Sequence, residues 1–447
     1  MNIRKNFGAA VSPSIASATA AISEVAARVG DPLFLVGGAV RDSLLGREVK
    51  EVDFVFVGDV AHLASEVERS GLGRQVASSQ FLTAKLQVGD SVFDIVTARG
   101  ESYKRPGALP TVHRGDLQAD LARRDFTVNA MAVSLTPGTG YMTLIDPLRG
   151  QVDLEDRVLR ALHPGSFRDD ATRVFRAARY ASRLGFRVDP STAEWIGQDG
   201  HHLDAISPDR LRHEFDRCWD EPAPERVLEL LDAWGALTAV HEALSWTREA
   251  SKGFGLARTS RPSDVPRDSV YWAAMGMHAI VPHDADGLAA RLNLQSDDAR
   301  AFFDGRSWST SPGSRLQMLL DSGVAPSEVV HLLDEVELPV VIAAAAVAVG
   351  PPAEALSTYI EKLRLTRPFL NGDDLIEMGV AEGPLIGDLL RRLRTTRIDG
   401  ESTSAADERS LVFKWTERSD NYEGEELRSP PADSALRLSR WNRMSCT

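Results

Sequence analysis

The hydrophobic period of this chain changes once, at Asp146-Pro147, and that change limits what it can fold into. Before it, short apolar runs alternate with amphipathic helical patterns. After it, almost every segment repeats at helical spacing and β-branched runs are few. The first ~150 residues are therefore expected to form a mixed α/β unit, and the remainder an all-helical array.

Within the first part, residues 15–29 carry small and apolar residues at helical spacing, and Pro32 separates that helix from the apolar run Leu33–Val36. Gly37 and Gly38 follow, then a short helix over 39–45 closed by Gly46 and a strand over 52–57 ending at Gly58. A helix is expected over 61–70 and further strands over 84–88, 91–96 and 127–135. Beyond Pro147, stretches rich in Pro, Ser and Gly mark joints at 220–224, 261–267, 307–314 and 350–352. These divide the chain into a head (1–150), a neck (151–222), a body (223–350), a tail (351–420) and a polar extension (421–447) expected to be disordered. No internal repeat is present.

Composition excludes several classes. At 43% hydrophobic and 26% charged the chain is ordinarily globular. Its two cysteines, Cys218 and Cys446, supply neither a disulfide framework nor a zinc site, which fits a reducing cytoplasm. The longest apolar stretch, 339–350, falls short of the roughly 20 residues that span a bilayer, so no membrane partner is expected. The first residues hold no apolar block ending in a cleavage-like site, and secretion is not expected. A net charge of −13 argues against nucleic-acid binding by the molecule as a whole, yet arginines crowd two segments. Arg168, Arg173, Arg176, Arg179, Arg183 and Arg187 form one, a candidate phosphate-facing surface. Arg391, Arg392, Arg394 and Arg397 form the other, better read as a solvated helix face.

The chemistry concentrates in LVGGAVRDSLLGREVKEVDFVFVGD, residues 35–59. Paired glycines where a strand turns into a helix let backbone N–H groups approach a phosphate, and Arg41 one turn later adds a bidentate donor. On a strand, Glu51 and Asp53 share one face, about 6.6 Å apart along the chain. Two such carboxylates suit a pair of Mg²⁺ ions, with Asp94 of the later strand as the candidate third ligand.

These residues, with TARGESYKRPGALPTV (97–112), DLARRDFTVNAMA (120–132), IDPLRGQVDLEDRVLRAL (145–162) and FRDDATRVFRAARYASRLGF (167–186), resemble the class II branch of the tRNA nucleotidyltransferase and bacterial poly(A) polymerase superfamily. The resemblance runs from about residue 33 to 401. It implies an α+β protein with a DNA polymerase β-like nucleotidyltransferase head followed by helical neck, body and tail. It also implies template-independent addition of nucleotides from CTP and ATP to the tRNA 3′ end, with Glu51 and Asp53 as the catalytic metal-binding pair. Where the family has Asp-x-Asp this chain has Glu51-Val52-Asp53, so metal geometry is the expected point of departure. By the same resemblance, Arg123, Arg124, Asp125 and Asn129 recognise sugar and phosphates, and Asp169, Asp170 and Arg173, with Arg176 one turn on, line the nucleotide site and select the base. On a regular strand Arg123 and Arg124 point to opposite faces, which favours Asp125 over their joint role. On a helix Asp170 and Arg173 share a face, and an Asp acceptor with an Arg donor matches the Watson–Crick edge of cytosine and adenine but not of uracil or guanine.

Asp209, Arg210 and Glu214 match a supporting helix and receive no chemistry. His283-Asp284 lacks the further ligands of a metal phosphohydrolase and is read as a loop. The segment 367–393 resembles the family tail that contacts the tRNA elbow. CC-adding, A-adding and poly(A)-adding activities, and a catalytically silent RNA-binding relative, remain open on these motifs, and nothing in the sequence fixes an oligomeric state.

Overall fold

A computed structural model describes every residue except 80, 81, 139, 280–283, 309, 310 and 420–447. The polar extension and His283 thus lie outside the described residues. The chain forms two compact units, Met1–Glu242 and the part from Ala243 onward.

The first unit opens with α1 (Arg4–Ala10), α2 (Pro13–Val29), β1 (Leu33–Val36), α3 (Gly38–Leu44), β2 (Asp53–Phe56) and α4 (Val60–Arg69). Next come β3 (Arg74–Ser79), β4 (Thr83–Val88), β5 (Ser91–Thr97), the hairpin β6 (Arg99–Ser102) and β7 (Thr111–Arg114), α5 (Leu117–Ala122), β8 (Ala132–Ser134) and β9 (Leu144–Ile145). A seven-stranded sheet runs β3-β4-β5-β2-β1-β8-β9, antiparallel throughout except for the parallel pair β2 and β5. Both faces of β1 and most of β2 are buried, which is why they read as continuous apolar runs rather than alternating ones. Phe34, Val36, Val55, Ala98, Leu121 and Ala132 form one core cluster, and Phe54 stacks on Phe93 at 5.7 Å.

The unit continues through α6 (Gly150–Glu155), β10 (Val158–Leu159), α7 (Ser166–Asp169), α8 (Arg173–Leu184), β11 (Arg187–Val188), α9 (Pro190–Asp199), α10 (Pro208–Trp219), α11 (Pro224–Ala233) and α12 (Ala236–Val240). The second unit is helical: α13 (Arg248–Ser260), α14 (Arg267–His278), α15 (Ala285–Arg291), α16 (Ser296–Ser307), α17 (Pro312–Asp321), α18 (Pro326–Asp334), α19 (Leu338–Ala345), α20 (Pro351–Glu361), α21 (Gly372–Glu377), α22 (Pro384–Ile398) and α23 (Ala405–Ser419). The apolar run from 339 is the buried core of α19. Among the described residues no helix is long and apolar enough to cross a membrane.

Three local expectations need correction. The strand expected over 127–135 is a 3-10 turn, Thr127–Asn129, followed by the three residues of β8. The strand expected over 52–57 begins at Asp53, because the ladder with β1 ends where Val36 faces Asp53. Two short parallel strands, β10 and β11, interrupt the helical part.

Candidate active site

A polar cavity of about 510 Å³ lies within the first unit, and its floor is the start of β2. Asp53 lines it and is partner to Asp94 across the parallel ladder to β5. Parallel pairing in register sets two like charges side by side. Partial burial, then Asp94, push the Asp53 pKa above the ordinary carboxylate range; Arg124 opposes the shift and Glu51 adds to it more weakly. Lys85, opposite Asp94 on β4, donates to Asp94 Oδ2 at 3.1 Å. Glu51 lies two residues ahead of Asp53, before the strand begins, and both are exposed with Val52 buried between them. Among the described residues no three His, Cys, Asp or Glu side chains gather as a metal cluster. The ladder pairs Asp53 with Asp94, while Glu51 sits just outside it, near enough to act on the charge of Asp53.

The Gly37-Gly38 turn forms the adjoining wall. Gly37 has φ +68°, and a Cβ there would meet Arg124 Nη1 at 3.0 Å, so both the backbone and the close approach call for glycine. Arg41 is buried and turned away from the cavity. It donates to Asn129 Oδ1 at 2.6 Å and to both carboxylate oxygens of Asp42 at 2.9 and 2.8 Å. Its guanidinium is a paired internal cation, as burial demands.

Arg123 and Arg124 sit at the C-terminal end of α5 rather than on a strand, which removes the objection that they face apart. Both reach back one turn to the fully buried Asp120: Arg123 Nη2 at 2.6 Å, Arg124 Nη2 at 2.9 Å. Arg123 also donates to Glu101 at 2.9 Å, and both arginines line the cavity. Asp125, equally a wall residue, is saturated. Its Oδ1 accepts from the Phe126 N–H at 2.8 Å and Asn129 Nδ2 at 3.0 Å, and its Oδ2 from Arg176 Nε at 2.8 Å and Nη2 at 2.5 Å. Burial works to raise its pKa, but Arg176 and Asn129 outweigh it and hold the carboxyl below the usual range.

The motif expected to select the base does not lie on one helical face. Asp169 ends α7, Asp170 is extended with φ −142°, and Arg173 starts α8. Asp170 and Arg173 still meet at the cavity, brought there by the break rather than by helical spacing. Asp170 Oδ1 accepts from the Thr172 N–H at 3.1 Å, its hydroxyl at 2.8 Å and Arg210 Nη2 at 2.9 Å. Arg173 is buried and donates to Ser166 Oγ and to the Arg123 carbonyl, both at 2.7 Å. Asp169 lies outside the wall, 3.7 Å from His163. Arg168 pairs with Asp199, while Arg179 and Arg183 converge on the buried Glu221. The first arginine segment is thus mostly consumed by internal ion pairs and is not an open phosphate surface. In the second, Arg391 pairs with Asp388, Arg394 with Asp334, and Arg392 and Arg397 lie over Trp415 and Phe369. Asp284 caps α15 through the Gly287 N–H.

Among proteins of known name, the A-adding tRNA nucleotidyltransferase of Halalkalibacterium halodurans is 30% identical over 388 residues, which cover 83% of this chain and 85% of that one. The chain belongs to the tRNA nucleotidyltransferase family. The CC-adding tRNA nucleotidyltransferase of Deinococcus radiodurans is 32% identical, covering 85% of this chain and 88% of its own. An A-adding member from Aquifex aeolicus is 40% identical over 218 residues, and there the match spans only 26% of the relative's length. Residues 33–160 match the family model described as poly A polymerase head domain, and 185–246 the one described as probable RNA and SrmB-binding site of polymerase A. The Thermotoga maritima CCA-adding enzyme, solved in complex with tRNA, superposes with a TM-score of 0.75 at 26% identity, over 93% of this chain and 99% of that one.

Several wall residues of this family member escape a reading of the sequence. Glu101, Tyr103, Tyr180, His213 and Arg217 line the cavity, and Arg210 and Glu214 do so although they were assigned no chemistry. Asp120 holds both arginines from behind. Its spacing of three and four residues from Arg123 and Arg124 is the one signal that points to it.

Proposed function

We propose that this chain adds nucleotides to the 3′ end of tRNA, rebuilding CCA from CTP and ATP, in the cytoplasm. The observation that carries the reading is the in-register pair Asp53 and Asp94, of which Asp53 lines a cavity walled by Arg123, Arg124, Arg173 and Arg176. A nucleoside triphosphate places its phosphates by the Gly37-Gly38 turn, where Arg124 stands beside the glycine. The ribose meets the segment bearing Asp125 and Asn129. Thr172 and Arg210 fix one oxygen of Asp170, which presents the other to an exocyclic amine, while Arg173 donates to the ring acceptor of cytosine or adenine. Uracil and guanine offer the opposite pattern and are rejected.

Two carboxylates set side by side on adjacent strands fit a divalent cation, and Asp53 and Asp94 are the residues that would hold it. With Mg²⁺ held there, the site would gain charge neutralisation at the triphosphate and a more acidic 3′-hydroxyl.

The test is incubation with tRNA ending before, within or after CCA, with each nucleoside triphosphate alone and combined, and sequencing of the product. Incorporation of C and then A is expected. Untemplated extension of unrelated RNA with ATP alone would indicate a poly(A) polymerase instead. A second reading, addition of only CC or only A, is favoured by the two full-span relatives, which carry one name of each kind. The same assay separates it.

A further inference from the structure

Tyr180 enters none of the motif readings above, yet its ring closes a circuit of side chains behind the cavity. Arg41 of α3 donates to Asn129 Oδ1 at 2.6 Å, and Asn129 donates to Asp125 Oδ1 at 3.0 Å. Asp125 Oδ2 accepts from Arg176 Nε at 2.8 Å. Arg176 in turn donates to the Tyr180 hydroxyl at 3.3 Å, with its guanidinium 5.5 Å from the ring centroid. The circuit closes because the Arg41 guanidinium lies 5.2 Å from the same centroid. Arg183, held by Glu221 at 2.8 Å, approaches the ring to 5.7 Å, and Phe126 meets it edge-on. Three guanidiniums repel one another. The negative face of one aromatic ring and the carboxylates of Asp42, Asp125 and Glu221 hold them together.

We propose that Tyr180 is a positioning residue for nucleotide selection. Its ring ties the Gly37-Gly38 turn, through Arg41, to the segment bearing Asp125 and Asn129 and to α8, whose first residue is Arg173. Groups assigned above to phosphate, sugar and base then keep a fixed spacing before the nucleotide arrives, which lowers the cost of binding it. The proposal rests on the nucleotide reading of the cavity. Tyr180 is half-buried and lines that cavity, unlike the sealed aromatic residues Phe126 and Phe175 nearby.

The experiment compares Tyr180→Met, Tyr180→Leu, Tyr180→Phe, Asn129→Ser and the double variant Tyr180→Met with Asn129→Ser, all in the full chain. It measures thermal melting, CTP affinity by calorimetry without tRNA, and KM for nucleotide and for tRNA. Tyr180→Met is expected to weaken CTP binding and raise nucleotide KM on the order of ten-fold while tRNA KM stays within about two-fold. Tyr180→Phe keeps the ring and should recover most of that loss. The double variant should be less than about two-fold worse than its worse parent, because a circuit already open has little left to lose. CTP binding by Tyr180→Met equal to that of the unmodified protein, or effects that simply multiply, would overturn the proposal. So would collapse of the fold in both Tyr180→Met and Tyr180→Leu, which would make the ring a core element. If the unmodified protein neither binds CTP nor extends tRNA, the functional reading itself falls.

Discussion

Asp53 is held where its charge is uncomfortable, because β2 runs parallel to β5 and sets Asp94 directly beside it. The upward shift of its pKa means that the folded protein binds this proton more tightly than the unfolded chain does. Ionised Asp53 therefore costs stability at neutral pH, and the cost fades as pH falls through its folded pKa. Asp53→Asn should abolish nucleotide addition while leaving the melting temperature at pH 7 unchanged or higher; a clear drop in melting temperature would contradict this electrostatic reading. Glu51 stands next to the pair of Asp53 and Asp94, just ahead of the strand: Glu51→Gln is expected to raise the Mg²⁺ requirement while leaving tRNA binding nearly unchanged, and an unaltered rate and Mg²⁺ dependence would leave the metal to Asp53 and Asp94. The sequence shows Asp53 and Asp94 as strand carboxylates but not as neighbours, since parallel pairing is decided by the whole sheet. Glu51 lies just outside the ladder, so strand periodicity alone does not fix where its carboxylate points.

At the level of elements, the site is assembled from breaks and ends of secondary structure. The Gly37-Gly38 turn was legible because only glycine tolerates such a turn, and Gly37→Ala is expected to cost roughly 1–3 kcal/mol of stability and to weaken CTP binding by displacing Arg124. Urea unfolding with and without CTP measures both effects. The end of α5 was not legible, and there the error ran the other way: two arginines that face apart on a strand converge on Asp120 at a helix terminus. Asp120 is fully buried beneath them, so Asp120→Ala leaves Arg124 without its carboxylate and Arg123 with Glu101 alone, and should cost roughly 3–5 kcal/mol in the same unfolding experiment. A loss below 1 kcal/mol, small against that range, would mean solvent already screens the pair. The break between α7 and α8 escaped because Asp170 and Arg173 are spaced well enough for one helix. What unwinds the intervening residues is the Thr172 hydroxyl and N–H, which bond to Asp170 in place of the helical ladder.

The molecule divides into two units with separate interiors, and the change of period at Asp146-Pro147 foreshadows the helical content of the second rather than the boundary itself, which falls at Glu242. Cores predict separable effects. Leu375 is sealed in a cluster with Leu370, Val380, Leu389, Leu393 and Val412, so Leu375→Ala should cost about 2–5 kcal/mol in that unit while leaving CTP affinity unaltered by calorimetry. A parallel fall in CTP affinity would show that the units do not act separately. The arginine segment from 168 to 187 has a different consequence for the molecule as a whole. Its guanidiniums are largely neutralised by Asp125, Asp199 and Glu221 before any RNA arrives, so few of them carry counterions to release. The slope of log Kd for tRNA against log salt should be shallow for a chain with so many cations. Ionic strength should then govern how often protein and RNA meet more than how tightly they hold, leaving shape as the main arbiter of which RNA stays.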